Sequence, residues 1–199
     1  AENVRLTLDE NGFIVTDKNF RTNVDTIFAA GDVIGYPQSA SASFSQGRTA
    51  ACHMFDIPVT EMSSTLPYSV YSIPEFSSVG MTEKEATDAG YDVTVGRAYY
   101  DNLTKATVAN NMNGMLKLVF ETGTFKLLGV HIIGATACEI IHIGQAVIAL
   151  NGDIRYFISN MMNYPTYAEA YRIAAFNGVN RVYKMGVKYR SILEHKDEV

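Results

Sequence analysis

Cysteine is scarce in this chain of 199 residues: there are two, Cys52 and Cys138, far apart and in no C-x-x-C or C-x4-C pair. A cysteine-built metal site and a local redox disulfide are therefore not indicated, and buried free thiols are expected, as in a reducing cytosol. Long apolar runs are missing too. None reaches the roughly 20 residues that cross a bilayer, so no membrane span is expected. The opening Ala1-Glu2-Asn3-Val4 carries neither a secretory signal nor an initiating Met and reads as the middle of a longer protein. Nor is there an excess of positive charge. Sixteen Lys and Arg stand against 21 Asp and Glu, a net charge of −5, which argues against a nucleic-acid partner. None of His53, His131 and His142 is grouped with a second ligand at metal spacing, and His195 falls in a charged tail, so no metal site is expected. Asn102-Leu103-Thr104 fits the glycosylation pattern without a secretory context.

What remains is an ordinary folded composition, 47% hydrophobic and 19% charged, which excludes a disordered chain. The length suits one large domain, or a domain with part of another. Asn11-Gly12, between Leu6-Thr7-Leu8 and Phe13-Ile14-Val15, predicts a hairpin with a two-residue turn. Thr26-Ile27-Phe28-Ala29-Ala30 is a short apolar run that suits a strand buried on both faces, and a helix is expected over 40–55. Pro58, Pro67 and neighbouring Ser and Thr mark a boundary within 57–67, dividing the chain into 1–60, 61–185 and a charged tail, 186–199. The second part reads as α+β: strands over 68–73, 76–80, 91–99, 115–121 and 125–133, then helices over 137–150, 154–159 and 166–183. Thr82-Glu83-Lys84-Glu85 is a capping box opening a short helix that Gly90 ends. Imperfect alternation over 115–121 suits a sheet covered on one face. Pro165 sits at the entrance of the last helix, with Thr166 available as its cap.

Two segments carry chemistry. The first is Thr22-Asn23-Val24-Asp25-Thr26-Ile27-Phe28-Ala29-Ala30-Gly31-Asp32. A strand with this pattern presents a carboxylate at its C-terminal end, where ligands bind in open α/β sheets, and Gly31 lets backbone and ligand approach closely. The helix that follows begins with small residues, Ser39-Ala40-Ser41-Ala42-Ser43, and its amides and dipole favour negative charge. A Gly-Asp pair alone reads first as a turn cap, and serines there as helix caps. The eleven-residue pattern, however, resembles the second FAD-binding motif of the pyridine nucleotide-disulfide oxidoreductase family. The resemblance implies FAD contacts at Gly31, Asp32, Gln38, Ser39, Ala40 and Ser41, with Asp32 on the ribityl chain. It also implies the fold: the last part of an FAD-binding α/β domain, then an α+β interface domain with an antiparallel sheet and flanking helices.

The second segment is Asn163-Tyr164-Pro165-Thr166-Tyr167-Ala168-Glu169. Thiol-active family members hold a His just before this Pro and a Glu four residues after it, a pair that one subunit contributes to the flavin site of the other. Here Pro165 and Glu169 match, but Tyr164 stands at the His position. A His, with a pKa of about 6.5, exchanges a proton with a thiol at neutral pH; a Tyr, at about 10, hardly does. Dithiol exchange therefore lacks its base, whereas hydride transfer between a nicotinamide and a flavin needs none at that face. Tyr164 then becomes a wall or a hydrogen-bond donor. The candidate catalytic residues are Tyr164 and Glu169, with Pro165 beside the cofactor; a plain helix entrance with a capping acid is the alternative.

Together with 31–37, 73–80 and 139–146, this segment resembles family members that exchange hydride between NADPH and NAD+ through FAD. The resemblance runs from about Val4 to about Tyr183 and implies NAD(H) and NADP(H) as substrates and a cytoplasmic homodimer joined through the second domain. A dihydrolipoamide dehydrogenase-like protein whose His was replaced, and a dimerisation module without enzymatic activity, are the alternatives. The family's G-x-G-x-x-G motif and its second glycine-rich fingerprint are absent from the chain. Alone, the chain is expected to bind FAD weakly or not at all, to lack hydride-exchange activity and to retain self-association. The two long apolar helices would supply an isologous interface of roughly 1,200–2,000 Å² or more.

Overall fold

The computed structural model describes residues 2–60 and 62–184. The charged tail expected at 186–199, with His195, lies outside the described residues. Two compact units are divided between Ser64 and Thr65.

The first unit is built from turns and one helix. Asp9 N–H donates to Phe13 O at 2.9 Å and Gly12 N–H to Asp9 O at 3.1 Å. Asp9 Oδ1 also accepts from the Asn11 and Phe13 amides, each at 2.9 Å. The expected hairpin forms, but with a three-residue loop, Glu10-Asn11-Gly12, in which Gly12 (φ 85°) takes the left-handed position. Its strands shrink to a single bridge between Leu8 and Ile14. A second copy of this turn follows. Asp17 N–H reaches Arg21 O, Phe20 N–H reaches Asp17 O, and Asp17 Oδ1 accepts from Asn19 and Arg21. There Phe20, at φ 66°, occupies the glycine's place.

The run Thr26-Ile27-Phe28-Ala29-Ala30 does not form the doubly buried strand that its composition predicts. Among the described residues it pairs on one edge only, through Thr22 N–H to Ile27 O, Ala29 N–H to Phe20 O and a bridge between Arg21 and Phe28. Only Ala29 of the run is buried. Burial of both faces requires neighbours that cover them, and within this unit the run has a partner on one side. Helix α1, Ala40–Met54, does form and turns Ala42, Gln46, Thr49 and Ala50 inward.

The second unit is an antiparallel sheet of five strands: β1 (Tyr68–Val70), β2 (Phe76–Gly80), β3 (Val93–Tyr99), β4 (Met115–Glu121) and β5 (Leu127–Ile133), in the order β1-β2-β5-β4-β3. Leu116, Leu118 and Phe120 of β4 and Val130 and Ile132 of β5 pack in one core with helices α4 (Ala137–Ala149) and α6 (Glu169–Lys184). The alternation in β4 is imperfect for a visible reason. Val119 points away from that core, yet it is also fully buried, in a smaller cluster with Val95, Leu128 and Ala86. Ala86 belongs to α2 (Glu83–Asp88), so the sheet is covered partly on its second face as well, not on one face alone. The capping box that opens α2 is formed by Thr82 and Glu85 as the sequence predicts.

Contact between α6 and the sheet is close enough to demand glycine. A Cβ on Gly96 of β3 would stand 2.0 Å from Ala174 O, and one on Gly178 of α6 would stand 2.6 Å from the Phe120 ring. Along the outer edge of β3, Arg97 N–H donates to Asn177 Oδ1 at 3.0 Å and Arg181 Nη1 to Val95 O at 3.2 Å. These bonds occupy groups that would otherwise pair with another strand. Helix α4 is capped from a distance: the Thr136 side chain makes no cap bond, and Glu75 Oε2 accepts the Cys138 amide at 3.0 Å. The fully buried Tyr171 phenol accepts from Gly144 N–H at 3.1 Å and donates to Ile140 O at 2.8 Å, and its burial pushes its pKa far up.

Sequence periodicity gave no sign of the short turns between β3 and β4. A 3-10 turn, Tyr100–Asn102, leads into α3, Thr104–Val108, whose buried face includes Leu103 and Ala106. A further short helix, α5 (Arg155–Ser159), precedes the second candidate site.

Candidate functional site

Each unit holds one of the two constellations. In the first, Gly31 is buried at φ 84° and its amide donates to Gln46 Oε1 of α1 at 2.7 Å. A Cβ there would come within 3.1 Å of Ser43 Oγ. Glycine therefore lets the chain lie against the helix before it turns outward. Asp32 opens a 3-10 turn, Asp32–Ile34, instead of ending a strand. Its carboxylate is exposed and makes no hydrogen bond with any described residue. Ser39 is the helix cap, its Oγ accepting from the Ala42 amide at 3.3 Å. Ala40 and Ser41 are exposed in the first turn, where backbone amides have no acceptor within the helix. Gln38 is exposed and makes no hydrogen bond with a described residue. The Asp32 carboxylate and the Ala40 and Ser41 amides of α1 are thus both uncommitted among the described residues. The Ser39 hydroxyl, already used in capping, is the least available of the set.

In the second constellation, Tyr164 is 70% exposed and precedes Pro165 through a cis peptide. Its phenol oxygen lies 2.8 Å from Thr104 Oγ1 of α3. Thr166 does not cap the last helix, as its place in the sequence suggests. Its hydroxyl donates to Asn163 O at 2.7 Å, and α6 begins later, at Glu169. Glu169, half-buried, reaches back to accept the Thr166 amide at 3.4 Å, a long bond at the positive end of α6. Tyr167 is buried with its ring 5.1 Å from that of Tyr100, and its phenol has no partner among the described residues.

The histidines lie elsewhere. His131 Nε2 meets Met81 O, and burial holds its pKa below the ordinary value; His142 Nδ1 contacts Gln145 Oε1 at 2.8 Å. Neither is bonded to Tyr164 or Glu169. Thr104 is the residue that sequence reasoning missed. It lies 60 positions from its partner, and no local pattern marks it.

This sheet, its two covering helices and the segment around Pro165 make up one α+β domain. The dimerisation domain of the pyridine nucleotide-disulphide oxidoreductases matches residues 66–175, and the pyridine nucleotide-disulphide oxidoreductase domain matches residues 1–47. The chain belongs to this family. More particularly, it is similar to the soluble pyridine nucleotide transhydrogenases of Pseudomonas aeruginosa and Azotobacter vinelandii, each 44% identical over 185 residues, covering 92% of this chain and 40% of theirs. The chain thus spans about two fifths of the length of these relatives. Among solved structures, the HOCl-induced flavoprotein disulfide reductase RclA from Escherichia coli matches with a TM-score of 0.82 and 27% identity, over 88% of this chain and 41% of that one. LpdA from Mycobacterium tuberculosis, at 22% identity and a TM-score of 0.77, over 88% of this chain and 38% of its own, shares the fold.

Proposed function

We propose that the chain is the carboxy-terminal part of an FAD-dependent transhydrogenase that moves hydride between NADPH and NAD+, with residues 1–60 closing its FAD-binding domain and 61–185 joining two subunits. The observation that carries this reading is the segment at 164–169. A phenol tied to Thr104 stands where a thiol-active enzyme needs a base, while Pro165 and Glu169 keep their places. The likeness to the transhydrogenases supports it.

On this reading Asp32 accepts hydrogen bonds from ribityl hydroxyls, and Gly31 leaves room for the approach. The Ala40 and Ser41 amides, with Ser39 and Gln38 beside them, face the electron-rich edge of the ring, where the dipole of α1 favours negative charge. FAD, when bound, supplies the two-electron carrier between the nicotinamides. Tyr164, Pro165 and Glu169 serve the flavin of the partner subunit. There Tyr164 excludes water and offers a hydroxyl, and Glu169 keeps the entrance of α6 in place. The two free thiols suit the reducing cytoplasm, where we place the protein. By itself the chain self-associates, binds FAD weakly or not at all and exchanges no hydride.

The test is reconstitution. The separately produced upstream part is mixed with this chain, and hydride exchange is followed between NADPH and an NAD+ analogue. Exchange in the mixture and in neither part alone is expected. A mixture that binds flavin yet exchanges nothing overturns the reading. The likeness to RclA favours a second reading, a disulfide reductase whose base was replaced; a C-x4-C pair in the upstream part, with reduction of a disulfide by the mixture, would establish that one instead.

A further inference from the structure

We propose that Thr104 is the positioning residue for Tyr164, its hydroxyl holding the phenol in one direction at the reaction face. This rests on the assignment of Tyr164 to the flavin site made above. A tyrosine that is 70% exposed has little packing to choose its rotamer. The Tyr164 phenol makes one hydrogen bond with a described residue, to Thr104 Oγ1 at 2.8 Å, so that bond decides where the oxygen stands.

Thr104 is itself exposed but stands on a buried base. It is the first residue of α3, and around it Tyr100 is 0%, Leu103 1% and Ala106 0% exposed. Tyr100 donates its hydroxyl to Ala135 O at 3.2 Å and receives the Tyr167 ring at 5.1 Å. The segment that carries Tyr164 is therefore held twice on one platform, by a hydroxyl pair at Tyr164 and by a ring contact at Tyr167. A hydroxyl pair also suits the chemistry. Whichever oxygen donates, the phenol keeps capacity for one further partner. A fixed hydrogen-bonding group of this kind can orient a substrate without taking its proton.

The first measurement uses this chain alone, without flavin. Tyrosine labelled with 13C at Cζ gives one signal per residue, and Tyr164→Phe identifies the signal of Tyr164. Thr104→Val is expected to move that signal to the position of a freely solvated tyrosine, and Thr104→Ser to leave it in place. The second measurement uses the complete flavoenzyme. Loss of a single hydrogen bond predicts a fall in kcat of about 2- to 10-fold for Thr104→Val, with KM nearly unchanged. Thr104→Ser should restore kcat, and the Thr104→Val/Tyr164→Phe double variant should be no slower than Tyr164→Phe alone.

An unmoved Tyr164 signal in Thr104→Val, a Thr104→Ser variant as slow as Thr104→Val, or additive losses in the double variant each overturn the proposal. If Tyr164→Phe slows the enzyme and Thr104→Val does not, the positioning role falls and Tyr164 keeps its place at the flavin. If neither change alters turnover, the assignment of Tyr164 falls with it.

Discussion

The two units reach order by different means. Beyond Thr65, order comes from burial. Leu116, Leu118, Phe120, Leu127, Ile132, Ile141 and Phe157 are at most 1% exposed and share one core. Among the described residues before Ser64, the buried apolar ones are three alanines, Ala29, Ala42 and Ala50, and order comes from hydrogen bonds: two aspartate-centred turns, a capped helix and the Gly31–Gln46 contact. Burying a large side chain contributes roughly 1.5–3 kcal/mol, whereas a hydrogen bond contributes a net of about 1 kcal/mol. The second unit is therefore the one equipped to hold its shape unaided, and it is also the one that carries the matched dimerisation domain. The first is more lightly packed, which suits the FAD-contacting role proposed for its turns.

The largest effect available is to wedge the core apart. Gly96→Val would place a Cβ 2.0 Å from Ala174 O, with two methyl groups beyond it. Because a backbone carbonyl cannot swing aside, a loss of about 3 kcal/mol or more is expected, read from the urea midpoint. Hydrogen exchange read segment by segment should show α6 and β3 opening together, with the turns at 9–13 and 17–21 unaffected. Spread of the damage to those turns would break the contrast between the units.

Next in size is Tyr171→Phe. It removes the hydroxyl between Ile140 O and Gly144 N–H. Those two groups are natural partners along a helix, so they can rejoin, and the cost should stay near 1 kcal/mol. The same phenol has a pH signature. Its folded pKa is raised by burial, so its contribution is complete below the unfolded value of about 10 and is lost as pH rises further. Wild type should lose stability faster than Tyr171→Phe in alkali. In the first unit the corresponding change goes the other way. Gly47 lies within α1 with no atom within 4 Å of an added Cβ, and Gly47→Ala should stabilise by about 0.5–1 kcal/mol. A destabilised Gly47→Ala would show that this face of α1 is more closely packed than it stands here.

The same division explains which parts of the fold could be read from the sequence. The Thr82–Glu85 capping box, the strands over 76–80 and 115–121 and the helix over 40–54 are written in neighbouring residues, and they formed where expected. The apolar run at 26–30 misled because apolar character states a need for cover and does not say what covers it. The Glu75 cap on α4 and the Gly96 contact join residues 63 and 78 positions apart, out of reach of any local pattern. For the candidate sites, Asp32, Pro165 and Glu169 were marked as candidates by the sequence because they sit in compact motifs. The surroundings that decide their chemistry were not. That Ser39 spends its hydroxyl on a cap, that Thr166 bonds backward to Asn163 and that Tyr164 leans on Thr104 are facts of geometry.

The smallest effect separates the two units by what holds their carboxylates. Asp17 is kept below the ordinary carboxylate range chiefly by the backbone amide of Arg21, with that of Asn19 assisting. Glu83 is lowered chiefly by its hydrogen bond from Lys117, then by the charges of Lys117 and Arg97. Both shifts are downward, so both contributions are present above the unfolded pKa of about 4 and are lost as pH falls through the folded value. Salt should tell them apart. Raising ionic strength from about 0.1 to 1 M shortens the screening length from about 10 to 3 Å, which weakens attraction between full charges far more than a bond from a backbone amide. Glu83→Gln should therefore remove both the acid sensitivity and the salt sensitivity of protection around α2 and β4, whereas Asp17→Asn should remove the acid sensitivity of the 17–21 turn and leave its weak salt response unchanged. Exchange rates corrected for intrinsic chemistry provide the reading. Equal salt responses in the two units would mean that the Asp17 turn is held by the Arg21 guanidinium and not by the chain's own amides.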